Sequence, residues 1–424
     1  MKVMVLGGGG CQINLIERLK SQGDEVVLID YLPDCLGSDL CDVHIKESTF
    51  DTPAVLKAAK KHSINSIVTL GTDQPVYTAA KVATDMGLPF YVTPDQALSA
   101  TNKRVMKEKF LRNDIPTVNY RLISKDFSDK DIEGISFPAV LKPVDSQGQR
   151  GIYKINSIAE IKGYIEDTLS YSREEQVLLE EYYESDEITI NGWLKNGKLT
   201  LLSVVDRVTL TSGDHIGICI AHNFPSLHLK DNYNEIEELT QRIVDVFGFM
   251  EGPVYFQYLI GNEGIKVNEI AMRIGGAYED ITLPIITGID VLGMLINSIK
   301  GYDTDSGALR GYSLKDNDKY ISTQMFFLNP GKITSISYDK NRLKACGVDK
   351  VVIARKTGDV SGSIENATAR AGYFIVQGES YNKMYDNIEH AYDEIKILDR
   401  HGRNMVKRYS LYEGKYKFAS EDLN

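Results

Sequence analysis

Apolar residues fall along this chain in two rhythms: unbroken runs such as KVMVL at 2–6 and SIVTL at 66–70, and stretches where they recur every three or four residues. The runs read as buried strands and the spaced stretches as amphipathic helices. A strand over 2–6, a glycine turn at 7–10, a helix over 15–21 and a strand over 26–30 make a βαβ unit, which implies a parallel sheet. Two more α/β units follow: a helix over 53–61 with a strand over 66–70, and a helix over 75–86 with a strand over 90–92. The glycine turn and the turn Gly71, Thr72, Asp73 both fall at C-terminal strand ends, where open α/β sheets bind ligands. Asp30 lies at about the spacing of a ribose-binding acid. Gln12, however, occupies the third glycine position of a G-x-G-x-x-G fingerprint counted from Gly7 and Gly9, so nicotinamide dinucleotide binding is not expected.

Residues 95–111 read as a helical pair, with Thr101 or Asn102 as an N-cap that puts Lys103 in the first turn, where the usual reason for a cation is an anionic ligand. The segment 137–155, FPAVLKPVDSQGQRGIYKI, reads as a hairpin: a strand ending in Lys142, a loop with Gly148 and Gly151 among Ser146, Gln147, Gln149 and Arg150, and a strand over 152–155. Such a loop lets backbone approach an anion and is rich in donors for phosphate oxygens. A helix over 159–168 and a strand over 176–182 follow. That strand stops on Glu180 and Glu181, which alternation points to opposite faces. Glu187 opens the next strand, which continues antiparallel through 198–205. His215 and His222 lie in the loop and strand beyond and read as structural or surface histidines.

A helix over 235–247 carries Ile236, Leu239, Ile243 and Val246 on one face. Strands over 254–260 and 265–270 form a second hairpin in which Gln257 and Glu269 are polar among apolar neighbours, a pair of oxygen donors suited to Mg²⁺. Arg273, Gly275 and Gly276 come next, then a helix over 288–299. Beyond residue 320 the pattern gives strands over 321–327, 349–354 and 370–377, a helix over 381–398, and a last dozen residues that read as a frayed tail.

A chain of 424 residues is too long for one core. Its formal charge of −11 argues against nucleic acid or an anionic membrane as the main partner, while leaving room for a local phosphate site. The cysteines at 11, 35, 41, 219 and 346 contain no C-x-x-C pair, so neither a disulfide framework nor a zinc site is expected, and a reducing cytoplasm is the simplest home. The N-terminus runs straight into a strand and glycine turn rather than a secretory signal, and no apolar run is long enough to cross a bilayer.

Lys103, Lys142 with its glycine loop, the EEY strand followed by Glu187, and Gln257, Glu269 and Arg273 stand in an order and spacing that resembles the ATP-grasp superfamily. Within it the chain is similar to the carboxylate–amine (amino-acid) ligase branch, akin to the ATP-binding modules of carbamoyl-phosphate synthetase and biotin carboxylase; Arg273-Ile274-Gly275-Gly276 and the H-x-x-P-S stretch at 222–226 look like its amino-acid ligases. The resemblance implies an α/β and α+β protein with a Rossmann-like pre-ATP-grasp domain over 1–100, an ATP-grasp domain over 101–315 whose glycine-loop lobe covers about 117–187, and a C-terminal α+β module over 316–424. It implies ATP with Mg²⁺ or Mn²⁺ as cofactors. Lys103 and Lys142 would neutralise the α- and β-phosphates, and the loop with Ser146, Gln147, Gly148 and Gly151 would fold over the triphosphate. Glu180 and the backbone around Glu181, Tyr182 and Tyr183 would meet the adenine edge, with Glu187 on the ribose. Gln257 and Glu269 would hold the metal, and Arg273 would grip the transferred phosphate or an acyl phosphate, as a planar guanidinium can.

The implied activity joins a small carboxylate, foremost an amino acid, to an amine, with ADP and phosphate as products; a homodimer is common among such proteins. Bicarbonate activation and an ATP-binding regulator with lost catalysis are the competing readings. Substrate choice would rest on Gly8–Gln12, Thr72, Asp73 and the segments 207–226 and 274–282, where Glu279 and Asp280 read as a solvated acidic turn or as holders of a substrate ammonium. One departure stands out. The family places a metal-binding asparagine two residues after the glutamate, where this chain has Ala271, and strand alternation is expected to keep Asn268 from replacing it.

Overall fold

The computed structural model describes residues 1–212, 215–304, 307–412 and 415–418. The chain gathers into two compact units, the first made of Met1–Gln147, Ile155–Val204 and His228–Asn317, the second of Gly148–Lys154, Val205–Leu227 and Asp318–Asn424.

In the first unit four parallel strands run in the order Val43–Ile45, Glu25–Ile29, Lys2–Leu6, Ser66–Val68. Val3 to Leu6 and Val26 to Ile29 are wholly buried, as a sheet covered on both faces requires. The strand Val43–Ile45 has no apolar run to announce it, and 90–92 is not a strand at all. Phe90 and Tyr91 stack at 4.6 Å, the Tyr91 hydroxyl donates to the carbonyl of Met272 at 2.9 Å, and Thr93 at once starts the helix Pro94–Thr101 through a capping box with Gln96. The apolar letters there serve packing rather than pairing. The glycine turn is closed by its own chain: Asp30 accepts from the N–H groups of Gly8 at 2.8 Å and Leu32 at 2.9 Å, and Gln12 donates to the Leu70 carbonyl at 2.5 Å.

The same unit holds two antiparallel three-strand groups. Gln176–Glu181 lies between Tyr120–Ser124 and Ala139–Pro143, and Gly252–Gly261 lies between Ser185–Lys195 and Gly264–Ala271. The helix Leu229–Phe247 starts well before 235 and buries Ile236, Leu239 and Ile243. A helix over Glu279–Thr287 replaces the expected loop. Its first residues Glu279 and Asp280 are buried rather than solvated, the former accepting from the Ala277 N–H at 2.6 Å and the latter from Asn14 at 2.7 Å. Asp290 then caps the helix Val291–Ile299.

The second unit is built on an antiparallel sheet in the order His215–Phe224, Tyr320–Phe326, Gly372–Gly378, Val348–Ile353. The helix Tyr381–Glu394 packs Met384, Ile388 and Tyr392 on Phe326, Phe374 and Val376. Gly378 permits this approach, because a Cβ there would meet the Met384 backbone nitrogen at 2.4 Å. The helix ends at Glu394, and Lys396–Leu398 pairs as a strand with Ser335–Ser337. Where a frayed tail is expected, Tyr409–Tyr412 pairs with Lys415–Phe418; 413, 414 and 419–424 lie outside the described residues. So do Gly213, Asp214 and the side chain of His215. Among the described residues no single helix is long and apolar enough to cross a membrane.

Candidate nucleotide-binding site

One helix and two strand groups of the first unit bring a set of buried charges together. Asn102 is the N-cap of the helix Lys103–Arg112, its side chain accepting from the Val105 N–H at 3.1 Å, and Lys103 therefore occupies the first helical position. Its ammonium lies 3.0 Å from a carboxylate oxygen of Glu269 and donates to the Ser146 carbonyl at 3.1 Å. The strand Ala139–Pro143 brings in Lys142, whose ammonium is 2.5 Å from Glu180 and donates to the Asn268 amide oxygen at 3.2 Å. Lys107, one turn along the helix from Lys103, approaches the other oxygen of Glu180 at 2.8 Å and donates to Thr117 at 2.5 Å. Glu181 points away, as alternation requires, and accepts from the Ser136 N–H at 2.8 Å.

Burial and partners contend at each of these groups. Burial alone would raise the Glu180 carboxyl, but the Lys107 and Lys142 ammoniums overcome it and hold it at about 2. Burial also pushes Lys107 down to about 8 despite the Glu180 carboxylate. For Lys103 burial is outweighed by the Glu269 carboxylate, and its affinity for the proton rises. Glu269 in turn stays below its ordinary value because Lys103, Lys142 and Arg273 more than offset its burial. The result is a buried set of ammonium groups, which is the arrangement that neutralises a polyphosphate.

Gln257 and Glu269 face each other across the hairpin, and Gln257 donates its amide N–H to Glu187 at 2.7 Å, which leaves the amide oxygen as its acceptor. A β-bulge follows: Gln257 pairs with Glu269 but Tyr258 pairs with Val267, so Asn268 is the extra residue. The bulge cancels the expected alternation, and Asn268 reaches the site beside Glu269 instead of being turned away from it. The donor set fits Mg²⁺. It consists of hard oxygens, the amides of Gln257 and Asn268 with the ionised carboxylate of Glu269, which suit a cation that shares its shell with phosphate and water. The buried Ser146 hydroxyl has no hydrogen-bond partner among the described residues, a further fit to an anionic ligand.

Arg273 lies over the Tyr255 ring at 4.3 Å and donates to Asp73 through Nε at 2.7 Å, with Nη2 also 2.7 Å from the same oxygen. Burial pushes the Asp73 carboxyl up, with Arg273 opposing it. The Gln147 amide oxygen accepts from the Asp73 N–H at 2.9 Å. In the segment expected to meet the adenine edge, the N–H groups of Glu181 and Tyr182 are bound to the carbonyls of Asn119 and Pro138, and the Tyr183 hydroxyl donates to the Gly264 carbonyl at 2.9 Å. Gly148 and Gly151 have φ of 71° and 69° and belong to the second unit, where the Ala367 N–H donates to the Gly148 carbonyl. His222 is also in the second unit, buried opposite Arg207 and Thr323. Sequence reasoning missed Lys107, although its i,i+4 spacing from Lys103 marks the same helix face.

The comparisons bear on these same segments. Residues 135–280 match the ATP-grasp domain family, and residues 324–398 match L-amino acid ligase C-terminal domain 2. The chain carries an ATP-grasp domain. Lys142, Glu180, Glu187, Gln257, Glu269 and Arg273 all lie within it, while Lys103 and Asp73 lie before it. The chain is 24% identical to the phosphoribosylamine–glycine ligase of Pyrococcus horikoshii over 375 residues, 84% of each chain. It is 25% identical to a carbamoyl-phosphate synthase of Methanobrevibacter smithii over 194 residues, 44% of this chain and 50% of that one. The match to the multifunctional protein pyr-3 of Neurospora crassa, 21% identical, takes in 70% of this chain but spans only 17% of that protein. In fold it is similar to the L-amino acid ligase of Bacillus licheniformis, with a TM-score of 0.78, 14% identity, and 94% and 98% of the two chains covered. The phosphoribosylglycinamide synthetase of Anaerococcus prevotii gives a TM-score of 0.72 at 16% identity over 94% and 99%.

Proposed function

We propose that this chain is an ATP-dependent carboxylate–amine ligase that joins a small carboxylate, foremost an amino acid, to an amine, releasing ADP and phosphate. The observation that carries the reading is the buried set Lys103, Lys107, Lys142, Glu180 and Glu269 in and just before the ATP-grasp domain. Lys103 and Lys142 would neutralise the α- and β-phosphates, with the Ser146 hydroxyl as a further donor to them. Glu180 and the segment to Tyr183 would hold adenine, and Glu187 the ribose. Gln257 and Glu269 would hold Mg²⁺ or Mn²⁺, which when bound withdraws charge from the phosphate oxygens. Arg273 would stabilise the phosphoryl group as the substrate carboxylate attacks it, and then the resulting acyl phosphate as the amine displaces phosphate. The match to an L-amino acid ligase C-terminal domain supports an amino acid as carboxylate.

The test is phosphate release from ATP and Mg²⁺ with amino acids and other small carboxylates, singly and in pairs, with Glu269→Ala as the blank. Release that needs one carboxylate and one amine, with a new amide mass, is the expected result. Release stimulated by bicarbonate alone would replace the ligase with a carboxylase, and tight ATP binding without turnover under any pairing would make the chain a regulator.

A further inference from the structure

Within the proposed nucleotide–metal reading, Ala271 raises a specific difficulty. Its side chain has no donor atom, and it sits on the strand Gly264–Ala271 opposite Tyr255, two pairs along from Gln257 and Glu269. A hairpin of regular alternation would leave Gln257 and Glu269 as the only oxygen donors of this ladder.

The bulge changes that. It places one more residue between the pairs Gln257–Glu269 and Tyr258–Val267, and that residue is an asparagine. Val267 and Ile270 on either side are fully buried, whereas Asn268 and Glu269 are both only partly covered, as two consecutive residues turned to one open face would be. Each also offers an oxygen to a cation of the site: Glu269 to the ammonium of Lys103 at 3.0 Å, Asn268 to that of Lys142 at 3.2 Å. We infer that Asn268, delivered by the bulge, is the amide-oxygen donor that completes the cation set of Gln257 and Glu269 in place of Ala271. A neutral amide oxygen is a competent ligand for a hard divalent cation, and it adds no negative charge that would repel phosphate. A one-residue bulge thus does the work that alternation reserves for a residue two positions away.

Calorimetric binding of Mn²⁺·ADP, set beside binding of ADP alone in excess EDTA, tests this. Asn268→Ala is expected to weaken Mn²⁺·ADP by about tenfold or more while leaving metal-free ADP unchanged. Ala271→Asn added to Asn268→Ala is expected to restore most of the loss. An equal loss for both ligands would make Asn268 merely a positioning residue for Lys142 and overturn the inference, as would unchanged Mn²⁺·ADP binding. Glu269→Ala measured in parallel keeps the levels apart. If it too leaves Mn²⁺·ADP binding intact the metal site itself is misplaced, and if it alone abolishes that binding only the Asn268 assignment falls. Thermal unfolding of each variant shows that a loss is not a loss of fold.

Discussion

Two polar clusters sit at strand ends of the first unit and treat their charges in opposite ways. At the glycine turn, Asp30 accepts from the N–H groups of Gly8 and Leu32, and the Gln12 amide donates to the Leu70 carbonyl. These side chains finish the backbone bonding of a turn. Around Lys142 the charged groups are paired with one another instead, at low exposure, across a helix and two strand groups. Burying such pairs contributes little net stability and is often worse than an apolar core. Their retention is therefore an argument for use, while the turn is an argument for structure. A glycine-rich turn at a strand end was the more conspicuous of the two in sequence, and it is the one whose groups are spoken for.

Substitutions can break this contrast or sharpen it. The largest effect is expected of Glu180→Ala, which strands the ammoniums of Lys107 and Lys142 and should cost about 3–5 kcal/mol in chemical denaturation. Next, Lys142→Ala should lower ATP turnover by about 10²- to 10³-fold while far-ultraviolet dichroism stays native. A smaller effect concerns acid. Because the Glu180 carboxyl is held at about 2 against an ordinary 4.5, its contribution is complete above pH 4.5 and is lost as the pH falls toward 2. Glu180→Gln should accordingly show a shallower decline of stability across that window than the wild type, read from denaturation midpoints at successive pH values. Smallest is Asp30→Ala, expected to cost about 1 kcal/mol and to leave ATP turnover untouched, since only backbone donors lose a partner. A loss of turnover in Asp30→Ala with full turnover in Lys142→Ala would invert the comparison.

The parallel sheet was legible because strands covered on both faces are written as unbroken apolar runs. That same rule misleads at Phe90, Tyr91 and Val92, none of which joins the sheet: Phe90 packs against the core of the parallel sheet and the Tyr91 hydroxyl donates to the Met272 carbonyl. Glu279 and Asp280 looked like a solvated turn because two adjacent acids usually are one; they instead open a buried helix. Arg273 could be picked out by type and place, but its partner Asp73 lies 200 residues away and no local pattern joins them. Asn268 is hidden in the sequence for the most instructive reason. A bulge leaves no mark in the letters on either side of it, so a strict count of alternate residues assigns the side chain to the wrong face.

On the proposed reading, the lysine–carboxylate cluster serves to activate a carboxylate with ATP. Once the panel has supplied a carboxylate and its amine, the most direct test is to label that carboxylate with ¹⁸O and weigh the phosphate released. Transfer of a label oxygen from carboxylate to phosphate, abolished in Lys142→Ala, is the result expected of an acyl phosphate formed at this site. Amide formation with unlabelled phosphate would contradict it.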